Sequence, residues 1–298
     1  MYIFGFFKAL LKPKNFLPAL YFLVNAAIIF GLFTLIPYQI VDDGLKNKIY
    51  LGLIGLAVNL FFIMISLSPL GEATWRMRNR IKKQPEYNYS ALWQNALAVF
   101  EEVKSRAKSV ARISNKVTLY YSPTNDLNAY ALGHRTVIVT RKMLEVHPEY
   151  LKGVLAHELG HIAHGDSDLK LGINVANGIL SVFMTVVSML SYILIGIFFG
   201  DKNGRLNGFG ILINFLFNVL ILGLFRLWTL VGVLCINWTS KKDEYRADGF
   251  AKELGYDRQL ASFLSAIDGS KTRTSKFNLM FQTHPDTVDR VSALGYSY

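Results

Sequence analysis

The chain has a single cysteine, Cys235, among 298 residues. No disulfide can form within it, so a stapled secreted fold is excluded. Charge is scarce as well: Asp, Glu, Lys and Arg make up 18%, against roughly 25% in an ordinary soluble domain. Acidic residues are the scarcer sign, 21 against 32 basic, which leaves a net charge of +11. Internal repeats, heptads and low-complexity tracts are missing, which removes coiled-coil, collagen-like and disordered classes. What is abundant is apolar: 52% of residues, with a mean hydropathy of +0.29.

The apolar residues are concentrated in four stretches long enough to cross a bilayer, Phe16–Ile36, Ile49–Leu70, Leu171–Phe199 and Phe209–Ile236. They form two hairpins, around the loops 37–48 and 200–207. An amphipathic core helix would carry a polar face, whereas Leu51–Leu70 offers only Asn59, Ser66 and Ser68. Basic residues flank the stretches: Lys8, Lys12 and Lys14 before the first, Arg76 to Lys83 after the second, Lys241 and Lys242 after the fourth. By the positive-inside bias, both termini and the segment from Arg76 to Asp168 are expected in the cytoplasm. The positive charge is thus a topology signal with some attraction to anionic lipid, and nucleic-acid binding is not expected. No small-residue cleavage site is evident near the N-terminus, so the first stretch reads as an anchor. The third stretch as a helix would be about 44 Å long, against a hydrocarbon core of about 30 Å. It and the fourth, which contains Arg226, are expected to project into the cytoplasm, with Arg226 near the inner interface.

The expected organisation is an N-terminal membrane hairpin in residues 1–83 and a catalytic domain in 84–170 and 237–298. A second hairpin at 171–236 interrupts that domain. Ser90–Ile113 has helical apolar spacing, and Lys116–Tyr121 and Thr136–Thr140 are β-branched and aromatic runs expected as strands. Asn128–Leu132 is a short candidate strand joined to the latter by the turn signal Gly133-His134. Pro148 opens a helix that Gly165 stops after His164, and Asp243–Leu254 is helical up to Gly255.

The helix 148–164 carries His157-Glu158-Leu159-Gly160-His161. Residues four apart share one helix face, so both imidazoles can address one ion while Glu158 stands beside them. Zn²⁺ suits such a nitrogen and oxygen set with a position left for water. The competing reading is two helix histidines satisfied by local hydrogen bonds. A third histidine ligand at 167 fails, because Ser167 is there. A glutamate on a later helix is the other common solution, and Glu244 offers one. Asp248, one turn on, is placed to accept the remaining ring N–H of a zinc histidine. The competing reading for these two acids is an exposed face pairing with Arg246 and Lys252. An extended substrate can add to the strand 128–132, through Asn128, Ala129, Tyr130 and Ala131. His134 and His147 read as solvated, His164 as structural, and Cys235 as merely buried.

Taken in order, these features resemble the HtpX-type membrane zinc metalloproteases, relatives of the Ste24 CAAX-processing proteases and of Oma-like peptidases. The resemblance rests on the N-terminal hairpin, HELGH with the Gly165-Asp166 that follows, and the second hairpin before Glu244-x-x-x-Asp248. It also rests on Asn128-Ala129-Tyr130-Ala131, similar to an Asn-Ala-Phe-Ala strand, and on Thr283-His284-Pro285 with Arg290. Asp286 replaces a second proline of that last motif.

The resemblance implies a mainly α integral membrane protein with four transmembrane helices and a cytoplasmic α+β, gluzincin-like catalytic domain in a bacterial inner membrane. It implies one Zn²⁺ per chain, bound by His157, His161 and Glu244, with Glu158 as general base and Asp248 supporting His157. His284 and Arg290 would lie near the site and stabilise the oxyanion. Unfolded or damaged membrane proteins are the implied substrates, in protein quality control. A dedicated CAAX-type or pro-peptide processing protease and a zinc-holding scaffold without turnover are the alternatives; Glu158 argues against the scaffold. Oligomeric state is not legible.

Overall fold

The computed structural model describes residues 2–34, 45–200, 205–269 and 287–297. They fall into two compact units, each assembled from discontinuous segments.

One unit draws on residues 1–12, 64–171 and 237–298. Helix α1 (Tyr2–Leu10) belongs to it. Helices α2 (Phe16–Thr34) and α3 (Leu45–Leu67) precede α4 (Pro69–Arg78), which opens on a Ser68 cap with Pro69 in its first turn. That cap ends the second apolar helix three residues short of the expected Leu70, because proline favours a fresh helix start over continuation. Helix α5 (Ser90–Val110) buries Trp93, Ala96, Phe100, Val103 and Ala107 at three- and four-residue intervals, an apolar stripe of helical period, and ends before the expected Ile113.

The sheet has the order β1 (Thr118–Ser122), β3 (Thr136–Thr140), β2 (Ala129–Leu132). Strand β3 is central and buried throughout, parallel to β1 and antiparallel to β2, with Leu119 opposite Val137 and Tyr130 opposite Ile138. The β2–β3 turn uses Gly133 at φ 58°, a backbone setting that favours glycine. The outer edge of β1 is closed by Lys82, which exchanges two backbone hydrogen bonds with Tyr121. The other outer edge belongs to β2.

Helix α6 (Arg141–Leu144) leads to α7 (Pro148–His164), bounded as expected by Pro148 and by Gly165 at φ 70°. It is central: residues 153–162 are all buried. Helix α8 (Asp166–Phe199) follows directly. Helices α9 (Gly208–Phe217) and α10 (Gly223–Glu253) are joined by a π-turn at Asn218–Leu222, and α11 (Asp257–Gly269) and α12 (Thr287–Leu294) complete the described chain. Two glycines let α7 approach its neighbours. A Cβ on Gly153 would run into the backbone nitrogen of Leu260 on α11, and one on Gly160 would lie 3.0 Å from Cα of Ala247 on α10.

The other unit spans residues 13–63 and 172–236. The described chain contains four helices long and apolar enough to cross a membrane, Pro13–Thr34, Lys46–Leu67, Leu171–Phe199 and Gly208–Gly232. Inside this unit the Tyr21 hydroxyl donates to Asn177 Oδ1 at 2.7 Å, its ring stacks on Trp228, and Trp228 Nε1 donates to Asn25 Oδ1. Large side chains such as Phe61, Phe62, Met189, Ile197 and Leu220 face outwards. Water would not solvate such faces, and lipid does. The expected class, mostly helical with four membrane helices and a small sheet, is the one observed.

Gly153→Ala should destabilise the folded protein by about 1–3 kcal/mol despite the better helix propensity of alanine, because α7 and α11 must separate. Thermal unfolding in detergent checks this; an unchanged or higher midpoint would contradict the close approach.

Candidate metal centre

His157 and His161 lie one turn apart on α7, and their Nε2 atoms are 3.2 Å from each other. Glu244 arrives from α10, with Oε2 3.3 Å from His157 Nε2 and Oε1 3.4 Å from His161 Nε2. The three side chains are buried, and their ligand atoms lie within 4.8 Å of one another, close enough to hold one metal ion. Gly160, between the two histidines, packs against Ala247 and Phe250 of α10, the helix that carries the carboxylate.

The far side of each ring is held by a carboxylate. His157 Nδ1 donates to Asp248 Oδ1 at 2.8 Å, and His161 Nδ1 donates to Asp166 Oδ2 at 3.2 Å. A carboxylate only accepts, so each Nδ1 carries a proton, and each Nε2 faces the other ring and Glu244, donating to Glu244 when the ring is protonated and free to give its lone pair to a metal when it is not. Each carboxylate is in turn held by an arginine. Arg290 donates from Nε to Asp248 Oδ2 at 2.8 Å and from a terminal nitrogen to Oδ1 at 2.6 Å, with another nitrogen 3.6 Å from Glu244. Arg246 binds Asp166 and Asp243.

The electrostatics follow from these contacts. Burial alone would push the His157 pKa down, but Asp248 and Glu244 outweigh it and hold the value above the usual range. For His161 burial is likewise outweighed, by Asp166 and then Glu244, and the pKa stands at about 10. Burial would raise Asp248, but Arg290 and His157 hold it at about 2. Raised histidine values favour the folded state below the unfolded pKa of about 6.5, and this is lost as pH rises through 10. A metal ion binding to both Nε2 atoms must therefore displace protons at neutral pH.

Glu158, next to His157 and only 7% exposed, turns towards the sheet. Its Oε2 accepts the backbone N–H of Ala131 at 2.8 Å, on the outer edge of β2. Asn128 precedes the strand, and its N–H and C=O bond to Thr140. Ala129 is buried, and the Tyr130 ring lies edge-on to Trp75.

Of the residues singled out in the sequence, His157, His161, Glu244, Asp248 and Arg290 are thus brought together, with Glu158 and Ala131 alongside. His284 lies outside the described residues, as do Thr283, Pro285 and Asp286. The exposed-face reading of α10 is overturned: Glu244 and Asp248 are buried, Arg246 pairs elsewhere, and Lys252 donates to the carbonyl of Leu294. His134 is not simply solvated, because its Nε2 lies 2.6 Å from Asp168. His147 caps α7, accepting the N–H of Glu149, and His164 donates to the carbonyl of Gly160.

Three features escaped the sequence reading. Asp166, with Arg246 and Asp243, backs His161 much as Asp248 and Arg290 back His157. Glu72 on α4 is buried and accepts from the His134 N–H at 2.9 Å and the Thr136 hydroxyl at 2.8 Å, which fixes the turn leading out of β2. Arg76, expected only as a topology signal, donates to Thr136 and covers the Tyr120 ring.

Asp166→Asn should weaken metal binding about 10- to 100-fold with the fold intact, measured by competition with a chromogenic chelator alongside circular dichroism. Calorimetry at pH 7 in buffers of different ionisation enthalpy should register net proton release on metal uptake. Buffer-independent heats would contradict protonated imidazoles in the metal-free protein.

The profile of Peptidase family M48 matches residues 94–297. Protease HtpX of Yersinia pestis (strain Pestoides F) and Protease HtpX of Yersinia pseudotuberculosis serotype O:3 (strain YPIII) are each 25% identical over 218 residues, covering 66% of this chain and 71% of their own length. The crystal structure of S. mikatae Ste24p aligns over 91% of this chain with a TM-score of 0.43 and 17% identity, and the chain spans 61% of the length of that protein. With a family match over most of its length, a buried His-His-Glu cluster and four membrane-length helices, this chain belongs to peptidase family M48 and is a membrane metalloprotease.

Proposed function

We propose that the protein is a zinc-dependent endopeptidase of a bacterial plasma membrane. It would cleave unfolded or damaged membrane-associated polypeptides on the cytoplasmic side, in protein quality control. The observation that carries this reading is the convergence of His157, His161 and Glu244 beside a glutamate bonded to the outer edge of β2. Two imidazole nitrogens and a carboxylate are the donor set zinc prefers. His157, His161 and Glu244 would hold the ion, with Asp248 and Asp166 orienting the rings. When bound, zinc supplies Lewis acidity, making water nucleophilic near neutral pH and a carbonyl more electrophilic.

This chain's own residues do the rest. A substrate segment adds to the outer edge of β2, where the backbone at Ala129 offers main-chain hydrogen bonds. An unfolded segment exposes its backbone groups along its whole length, so access itself favours unfolded segments. Glu158 Oε2 takes a proton from the attacking water and returns it to the leaving amine. The Ala131 N–H holds that carboxylate at the strand on which the scissile bond is laid, which couples substrate alignment to proton transfer. Arg290 is engaged by Asp248 and Glu244, so its role is to lock the His157 support in place, in preference to the oxyanion contact first expected. His284 is retained as a candidate for that contact. The catalytic domain would comprise residues 84–170 and 237–298, with the hairpins at 1–83 and 171–236 holding it at the membrane. A dedicated processing activity is not favoured, because main-chain recognition at an open edge imposes little sequence preference.

Glu158→Gln should retain zinc while cleavage of an unfolded substrate such as casein falls by about 10²–10⁴-fold in kcat. Glu244→Ala should lose zinc and activity together. Metal analysis and chelator-reversible proteolysis of the purified full chain in detergent decide both. A Glu158→Gln protein as active as wild type removes the base, and a Glu244→Ala protein that keeps its zinc removes the third ligand.

A further inference from the structure

The metal centre leaves Arg226 unused. It is the only charged residue between Arg205 and Lys241, and no acidic residue occurs between Asp201 and Asp243. A guanidinium within a membrane-length helix needs an anionic or strongly polar partner, and such residues mark functional sites by default. No acid on the neighbouring stretch of chain can supply one.

Arg226 lines a cavity of about 290 Å³ between α8 and the π-turn and α10, together with Ser181, Met184, Met189, Leu222 and Thr229. All of these belong to the unit of residues 13–63 and 172–236. The depth of Arg226 follows from helix arithmetic. Gly200 and Leu206 pair at the hairpin tip. Twenty residues of helical rise from Leu206 to Arg226 amount to about 30 Å, the thickness of the hydrocarbon core. With the polar tip at one headgroup layer, Arg226 reaches the other, as its sequence position led us to expect.

The cavity is graded in the same direction. Its one charged lining residue, Arg226, lies with Ser181, Thr229, Leu180 and Phe225 at the headgroup end, and the uncharged Met184, Thr185, Ser188, Met189 and Leu222 follow towards the tip. The hydroxyl protons are already used: Ser181 donates to the carbonyl of Asn177, Thr185 to that of Ser181 and Thr229 to that of Arg226. The guanidinium is therefore the donor left for a ligand. The π-turn Asn218–Leu222 widens the fourth helix beside the cavity, a local geometry common at functional sites.

We infer that this cavity binds an anionic glycerophospholipid, its phosphodiester on the Arg226 guanidinium and its acyl chains against Met184, Met189 and Leu222. Charge complementarity, depth and a lining that is charged at the headgroup end and uncharged towards the tip all fit one amphiphile lying parallel to the helices. A free phosphate ion would satisfy only the first of the three, and a soluble peptide would find its polar end at the wrong depth. The inference does not depend on the metal centre.

The test uses the full chain in detergent, exposed to equimolar dioleoyl-phosphatidylglycerol and dioleoyl-phosphatidylcholine and analysed by native mass spectrometry. Wild type should retain the anionic lipid about fivefold over the zwitterionic one, the value expected for one arginine near a membrane surface. Arg226→Gln should abolish the preference, and Arg226→Lys should keep part of it. Met184→Trp, which fills the uncharged end with the charge intact, should reduce retention of both lipids and covers the case of an Arg226→Gln protein that does not fold. Equal retention of the two lipids by wild type, a preference that survives in Arg226→Gln, or displacement by inorganic phosphate would each overturn the site.

Discussion

Around the imidazole pair the buried charge is mostly negative. Glu158, Asp166, Asp243, Glu244 and Asp248 are buried there, and among the described residues Arg246 and Arg290 pair with Asp166, Asp243 and Asp248. Two imidazole protons or one divalent cation each offset that negative charge, and the two solutions exclude each other at the same nitrogen atoms. The raised histidine pKa values and the competence to hold a metal are thus one property seen from two sides. The arginines hold the outer carboxylates in place, so that Nε2 of each ring is the atom left facing Glu244.

This balance is attainable only because α7 comes unusually close to its neighbours. A side chain at Gly153 would collide with the backbone of α11, and one at Gly160 would crowd α10 beside the imidazoles. The sheet side is fixed by different means. Glu72 and Asp168 hold the turn after β2, one at the His134 backbone and the other at its side chain, while Ala131 bonds Glu158 directly. The metal-binding face and the strand that would receive a substrate are therefore set against each other by hydrogen bonds.

Local signals in the sequence were strong where structure is local. Pro148 and Gly165 delimit α7 to the residue, and the spacing of His157 and His161 needs no more than helix geometry. The strands shifted by one or two residues: β1 begins at Thr118, where pairing to Arg135 starts, and β2 at Ala129 because Asn128 is held by Thr140. Asp248 was legible because it sits one turn from Glu244. Asp166 was not, because an aspartate just after a helix-stopping glycine reads as the cap of the next helix. Glu72 was hidden for another reason. It lies among the basic residues after the second apolar helix, where Arg76 and its neighbours read as charge for the membrane surface. Only the tertiary fold turns that helix towards the β2–β3 turn.

The buried His-His-Glu cluster is drawn from parts of the chain made at different times. His157 and His161 are synthesised before residues 172–236, and Glu244 after them. A nascent chain that has not yet completed its second apolar hairpin holds two imidazoles and no carboxylate to close the cluster. The interrupted order of the chain delays closure of the cluster until the last apolar helices have been made.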